Sequence, residues 1–200
     1  MGCAVFSYDY WNFDVAEAPH GRTPAVATGI KRVLPDHTVF TYQGDGDLAA
    51  IGTGEIIHSA ARGERISVVF MNNGVYGMTG GQMAPTTLMG QRTKTTPLGR
   101  NAAGAGFPLK VCEMLAPLPG VVYLERVAID SPKDVIKAKK AIVKSFQVQI
   151  AGLGFSLVEI LSNCPPNWGM TPVESMKYIN EVNKVEFPLG VYKEPQWNNG

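Results

Sequence analysis

Residues 38–73 read TVFTYQGDGDLAAIGTGEIIHSAARGERISVVFMNN. The short apolar runs at 38–43 and 66–71, rich in β-branched and aromatic residues, each predict a buried strand. Between them a helical pattern occupies 48–62, long enough to carry the chain back for a parallel pairing. Strand, helix and strand in that order predict a parallel βαβ unit. The same grammar continues in both directions. Runs at 121–127 and 155–161 are two more strand candidates, and helical patterns lie at 24–34, 108–115, 132–151 and 171–184. The expected class is therefore α/β, a parallel sheet with helices on both faces. Residues 1–10 are a further strand candidate. Ser131-Pro132 and Thr171-Pro172 place a capping hydroxyl before a proline at the first helical position, and Glu174 completes a capping box with Thr171. Residues 74–106, rich in Gly, Thr, Pro, Met and Gln, break the rhythm and predict a long functional loop. One domain is expected over 1–192, followed by a frayed tail at 193–200.

Composition narrows the class of function. Of 200 residues, 45% are hydrophobic and 18% charged, against about 25% charged in typical soluble proteins. A disordered chain is excluded. With 18 Lys+Arg against 17 Asp+Glu the net charge is +1, so no global field points to nucleic acid or an anionic membrane. No apolar run approaches the ~18 residues of a membrane span, and the N-terminus lacks a secretory pattern. Three cysteines far apart, Cys3, Cys112 and Cys164, make a poor disulfide framework and suit a reducing cytoplasm.

The chemistry concentrates where strands end. Gly44-Asp45-Gly46-Asp47 lies between the first strand and its helix, the edge at which open parallel sheets bind ligands. Glycines allow close backbone approach, and a helix start offers N–H groups to phosphate. A carboxylate in such a turn repels phosphate unless a divalent cation lies between them. Asn72-Asn73-Gly74-Val75-Tyr76-Gly77 occupies the equivalent end of the next strand. If the two strands are parallel neighbours, Asp45 and Asn73 converge, and with the Val75 carbonyl they supply three hard oxygens for octahedral Mg²⁺. Gly-Asp-Gly alone is a common turn. Its pairing with Asn72-Asn73 across one helix and one strand resembles the thiamine diphosphate fingerprint.

Further segments carry a narrower likeness: Gly2-Cys3-Ala4, His20-Gly21-Arg22, QGDGDLAAIG at 43–52, YGMTGGQMAPTT at 76–87, Asn163-Cys164-Pro165 and Phe187-Pro188-Leu189-Gly190. Over nearly its whole length the chain resembles the thiamine diphosphate-binding subunit of 2-oxoacid:ferredoxin oxidoreductases, of the 2-oxoisovalerate and 2-oxoglutarate type. The resemblance implies a thiamine diphosphate-binding fold in which Asp45, Asn73 and the Val75 carbonyl hold Mg²⁺. Gly44, Gly46, Asp47, Gly77, Met78 and Thr79 would line the cofactor pocket, with His20 and Arg22 near the reacting groups. For His20 and Arg22 the alternatives are a loop histidine and a solvated charge at a helix start. The implied activity is oxidative decarboxylation of a 2-oxoacid to acyl-CoA and CO₂ with reduction of ferredoxin. It would require a pyrimidine-binding subunit and other partner subunits. The alternatives are a subunit of a non-oxidative thiamine diphosphate decarboxylase or synthase, and a diphosphate-binding module without turnover.

Related subunits hold a [4Fe-4S] cluster through four cysteines, and Cys3 and Cys164 match two of these. The other two belong to a CxxC ahead of the point where this chain begins, so the resemblance implies an N-terminally shortened member without a cluster of its own. The intact protein would hold the cluster, whereas in this chain Cys3 and Cys164 are expected to be buried, reduced thiols, and Cys112 reads as core. His58 reads as solvent-facing or packed, and Lys133, Lys137, Lys139, Lys140 and Lys144 as a solvated helix face or a ferredoxin dock. Met78, Met83 and Met89 would line a substrate pocket or meet a partner subunit. Some relatives that use 2-oxoglutarate carry a lysine at the position of Gly80. Gly80 offers no charge, so an apolar 2-oxoacid such as 2-oxoisovalerate is expected, unless Arg92, Lys94 or Arg100 swings in from the same loop.

Overall fold

A computed structural model describes residues 2–197. In chain order its strands are β1 (Phe40–Gly44), β2 (Ser67–Asn72), β3 (Val75–Tyr76), β4 (Gln82–Met83), β5 (Val121–Ala128), β6 (Phe155–Leu161) and β7 (Gly190–Lys193). The helices are α1 (Thr23–Val33), α2 (Thr53–Ala61), α3 (Ala102–Ala105), α4 (Val111–Leu115), α5 (Pro132–Ile150), α6 (Pro165–Trp168), α7 (Pro172–Tyr178) and α8 (Lys184–Glu186). Five strands form one sheet in the order β1-β2-β6-β5-β7. The first four run parallel, and β7 closes the β5 edge antiparallel. The short pair β3 and β4 lies inside the long loop.

Alternation along the strands divides the core. Val68, Phe70, Leu124 and Leu157 face Ala27 of α1, Ile56 and Ala60 of α2 and Leu115 of α4. Val69, Tyr123, Val158 and Ile160 face Ala138, Ala141 and Val148 of α5. Every residue of β6 is buried, because this strand is central and covered on both faces. The α/β class and the helices on both faces are as the sequence predicts. The Ser131 cap on α5 and the Thr171–Glu174 capping box on α7 both form.

Four expectations are corrected. Residues 2–9 form a 3₁₀ helix rather than a strand. Its backbone bonds are local, and the turn beyond it, with Tyr10 N–H on Ser7 O at 3.0 Å, continues that pattern; Met1 lies outside the described residues. The helix expected at 48–62 divides into a π-helical turn, Gly46–Ile51, and α2. Gly52 N–H reaches back five residues to Asp47 O at 3.0 Å, and the Thr53 hydroxyl bonds Ala49 O and Ala50 O. The pattern at 171–184 is likewise interrupted by a π-helical turn, Ile179–Asn183. The helix expected from 108 begins at Val111, since Leu109 N–H is bound to Pro85 O at 2.9 Å and is taken out of any helical ladder. At the C-terminus, Lys193 ends β7 and Pro195 is buried, while residues 198–200 lie outside the described residues.

Candidate functional site

The register of β1 on β2 pairs Gly44 with Met71. Asp45 therefore emerges beside the Asn72-Asn73 turn, as parallel neighbours require. Its carboxylate accepts Asn73 N–H on Oδ2 at 3.0 Å and Gly74 N–H on Oδ1 at 3.3 Å, with the Thr86 hydroxyl also on Oδ1. Asp45 is 2% exposed, and burial pushes its carboxyl up to about 6 against the pull of those donors. Asn73 Oδ1 accepts Val75 N–H at 3.2 Å, and Trp168 Nε1–H holds Asn73 O at 3.1 Å. Beside these groups opens a cavity of about 550 Å³ whose wall includes Gly44, Asp45, Gly46, Asn73, Val75 and His20. Asp45, Asn73 and Val75 all line this cavity, and a carboxylate, an amide oxygen and a backbone carbonyl are the hard-oxygen ligands that suit Mg²⁺. The volume suits a cofactor-sized ligand.

Asp47 does something the sequence does not reveal. Its carboxylate accepts Gly21 N–H at 2.7 Å and the Thr23 hydroxyl at 2.8 Å, bonds the Gln43 amide, and meets His20 Nδ1 at 2.8 Å. The imidazole is thereby held at the cavity wall. A Cβ added to Gly46 would stand 3.3 Å from His20 Nε2 and 3.2 Å from the Tyr76 ring, so only glycine leaves that wall open. Arg22 is not brought to the cavity. It is exposed and ion-paired with Glu55 of α2.

Around Gly77 two distant thiols meet. A Cβ on Gly77 would lie 3.3 Å from Cys3 Sγ and 3.5 Å from Cys164 Sγ, while Asn167 Nδ2 bonds Gly77 O at 3.0 Å and Cys164 Sγ at 3.2 Å. Burial and the neighbouring Cys164 push the Cys3 thiol up. Cys112 sits in the core under β5 and β6, away from this pair. Two thiols do not fit a [4Fe-4S] cluster, which normally takes four, and among the described residues no group of three or more His, Cys, Asp or Glu is placed to hold a metal ion. Met78 and Thr79 border the cavity, whereas Met83 and Met89 do not. His58 is exposed, and on α5 Lys137 pairs with Asp134 and Lys144 with Glu194, as on a solvated face.

The sequence quotes Thr86 and Thr87 only within a family-like segment and offers Arg100 only as a charge that could swing in, because paired threonines and a lone arginine in an aperiodic loop do not show what they hold together. Arg100 is 5% exposed. Its guanidinium donates to six carbonyl oxygens, those of Ala84, Pro85, Thr87, Ala105, Gly106 and Phe107. It is spent on the loop and does not swing toward a substrate. Arg100→Ala is expected to cost on the order of 3 kcal/mol, since several carbonyls lose their donor at once. Urea titration would measure the loss, and limited proteolysis should cut within 84–107. Unchanged stability and protection would refute this keystone role.

Residues 2–160 match the family described as thiamine pyrophosphate enzyme, C-terminal TPP binding domain. The chain belongs to this family. Ketoisovalerate oxidoreductase subunit VorA of Methanothermobacter thermautotrophicus is 46% identical over 194 residues, covering 97% of this chain and 41% of VorA. The 2-oxoglutarate synthase subunit KorB of Archaeoglobus fulgidus is 36% identical over 181 residues, covering 90% of this chain and 63% of KorB. The chain thus spans less than two thirds of these relatives' own length. The solved 2-oxoglutarate:ferredoxin oxidoreductase from Magnetococcus marinus, with 2-oxoglutarate, coenzyme A and succinyl-CoA bound, superposes with a TM-score of 0.67 at 25% identity, over 89% of this chain and 64% of that one. The family resemblance read from sequence is borne out. Within the thiamine pyrophosphate enzyme family match lie Asp45, Asn73, Thr86 and His20, whereas Cys164, α6 to α8 and β7 lie beyond the matched range.

Proposed function

We propose that this chain is the thiamine diphosphate-binding part of a cytoplasmic complex that converts a 2-oxoacid to acyl-CoA and CO₂ while reducing ferredoxin. The observation that carries the reading is the convergence of Asp45 and Asn73 on one cavity at the carboxyl edge of β1 and β2. The names of the relatives supply the reaction class. Bound thiamine diphosphate would supply a carbon nucleophile and an electron sink. This chain's residues would do the rest. Asp45, Asn73 and the Val75 carbonyl would hold Mg²⁺ on the diphosphate, and Gly46 would leave room for it. His20, steadied by Asp47, would present Nε2 to the reacting end of the cavity as a proton donor or acceptor. A pyrimidine-binding subunit would complete the pocket and exclude water. Any [4Fe-4S] cluster using Cys3 and Cys164 would need further thiolates from elsewhere.

An apolar 2-oxoacid is the proposed substrate. The greater identity to a ketoisovalerate subunit than to 2-oxoglutarate subunits supports it. Arg92 Nε is bound to Pro97 O and Arg100 is spent, so neither is poised for a second carboxylate. Lys94 is the exception: its Nζ lies 3.4 Å from where a Gly80 Cβ would stand. Gly80 itself has φ +105°, where any side chain is strained, so Lys94→Ala is a cleaner probe than Gly80→Lys. The full chain, purified with its native subunits, is expected to reduce viologen with thiamine diphosphate, coenzyme A and 2-oxoisovalerate at higher kcat/KM than with 2-oxoglutarate. Lys94→Ala is expected to depress any 2-oxoglutarate turnover and spare the branched substrate. Turnover independent of coenzyme A, or a wild-type preference for 2-oxoglutarate, would refute the proposal.

A further inference from the structure

Three donors from other residues meet the carboxylate of Asp45, its own N–H is a fourth, and their distribution decides how much of it remains for a cation. An ionised carboxylate offers about four lone-pair positions, two on each oxygen. Oδ1 accepts both Gly74 N–H and the Thr86 hydroxyl, which fills it. Oδ2 accepts one donor from another residue, Asn73 N–H, which makes it the less occupied oxygen. Thr86 has little freedom to withdraw. It is fully buried, and the carbonyls on either side of it, Pro85 O and Thr87 O, are held by Arg100 at 2.8 and 2.6 Å. The Thr87 hydroxyl in turn binds Gly74 O, so the turn at 84–87 is stitched to the turn that follows Asn73.

We propose that Thr86, anchored by Arg100, is a positioning residue that occupies Oδ1 and makes Asp45 a single-oxygen ligand. This inference rests on the reading of the site as a divalent-cation diphosphate site. Its consequence is cation choice. Mg²⁺ demands near-octahedral coordination, whereas Ca²⁺ accepts six to eight oxygens and readily takes a carboxylate through both of its oxygens. With Oδ1 filled, Asp45 suits Mg²⁺. With the Thr86 hydroxyl gone and only Gly74 N–H left on Oδ1, the carboxylate can turn both oxygens to the ion, and Ca²⁺ gains.

The test compares wild type, Thr86→Val, Thr86→Ala and Thr86→Ser, each as the full chain purified with its native subunits. Calorimetry gives the thiamine diphosphate Kd at saturating Mg²⁺ and at saturating Ca²⁺. Valine keeps the shape and removes the hydroxyl, alanine removes it with less crowding, and serine retains it. Wild type and Thr86→Ser should share one preference for Mg²⁺. In Thr86→Val and Thr86→Ala the ratio of the two Kd values should move toward Ca²⁺ by roughly tenfold, the lower end of outer-shell effects on metal sites. A merely structural role would weaken binding with both ions together and leave the ratio unchanged. That result would overturn the inference and leave the site reading standing. Failure of wild type to bind thiamine diphosphate with either ion would overturn both.

Discussion

Asp45→Ala is expected to abolish Mg²⁺-dependent binding of thiamine diphosphate, a loss of roughly 100-fold or more, or about 2.7 kcal/mol. The carboxylate is the only anionic oxygen among the three proposed ligands, so its removal leaves two neutral dipoles facing a dication and a diphosphate. The same residue has a second, opposite signature in the protein without ligand. Its folded carboxyl stands at about 6, against an ordinary 3.8. Between those values the folded state binds the proton more tightly than the unfolded chain, so stability falls as pH rises through that window. Above it, the full penalty is about 3 kcal/mol. Thermal melts without ligand should therefore lose stability from pH 4 to pH 6.5 in wild type and lose less in Asp45→Asn. Mg²⁺ with thiamine diphosphate should raise the wild-type Tm and leave the variant unmoved. Unchanged cofactor affinity in Asp45→Ala would remove Asp45 from the cation site.

The largest effect on folding is expected from Arg126→Met. Arg126 and Glu159 are both fully buried and meet Nε to Oε2 at 2.9 Å across β5 and β6. The guanidinium also grips Glu113 at 2.9 and 2.6 Å and lies over the rings of Phe187 and Tyr192. Burial opposes the charge on Arg126, but Glu113 and Glu159 overcome it and hold the guanidinium above its ordinary value. Removing the cation leaves Glu159 charged in the core, at a cost of about 3–5 kcal/mol. Glu113→Gln should cost far less, because Glu113 is partly exposed and Arg126 keeps Glu159. Urea unfolding midpoints would rank the two variants. Equal losses, or a mild effect of Arg126→Met, would contradict this ordering. Glu159 also receives the Asn72 amide at 2.8 Å, so the damage should extend to the turn that carries Asn73.

The parts of the fold legible in the sequence were those set by short apolar runs. The run at 155–161 coincides with β6, and β1, β2 and β5 lie within two residues of their expected bounds, whereas β7 was not expected. Helix bounds were less legible where a backbone group has a tertiary partner, as Leu109 N–H has in Pro85 O. The π-helical turn after Asp45 left no trace in periodicity, because its extra residue per turn comes from backbone bonding at Gly52 rather than from side-chain pattern. Asp45 and Asn73 were legible as a pair because neighbouring parallel strands end at one edge. Thr86 was not, since its place against Asp45 depends on the path of an aperiodic loop that Arg100 holds from within. The family resemblance implied a place for Asp47 in the diphosphate pocket, but nothing in the sequence showed that its carboxylate grips His20.

The strand order also carries a consequence for biosynthesis. β6 stands between β2 and β5, so Asn72 waits for Glu159, 87 residues further along the chain. During translation β1 and β2 emerge with an almost wholly buried-type strand, SVVFMN, whose inner neighbour does not yet exist. Contacts this far apart close slowly and leave strand edges exposed in the interval. A ribosome stalled short of residue 161 would thus hold a nascent chain that displays the cofactor turns on an unpaired apolar edge, a natural client for a holding chaperone.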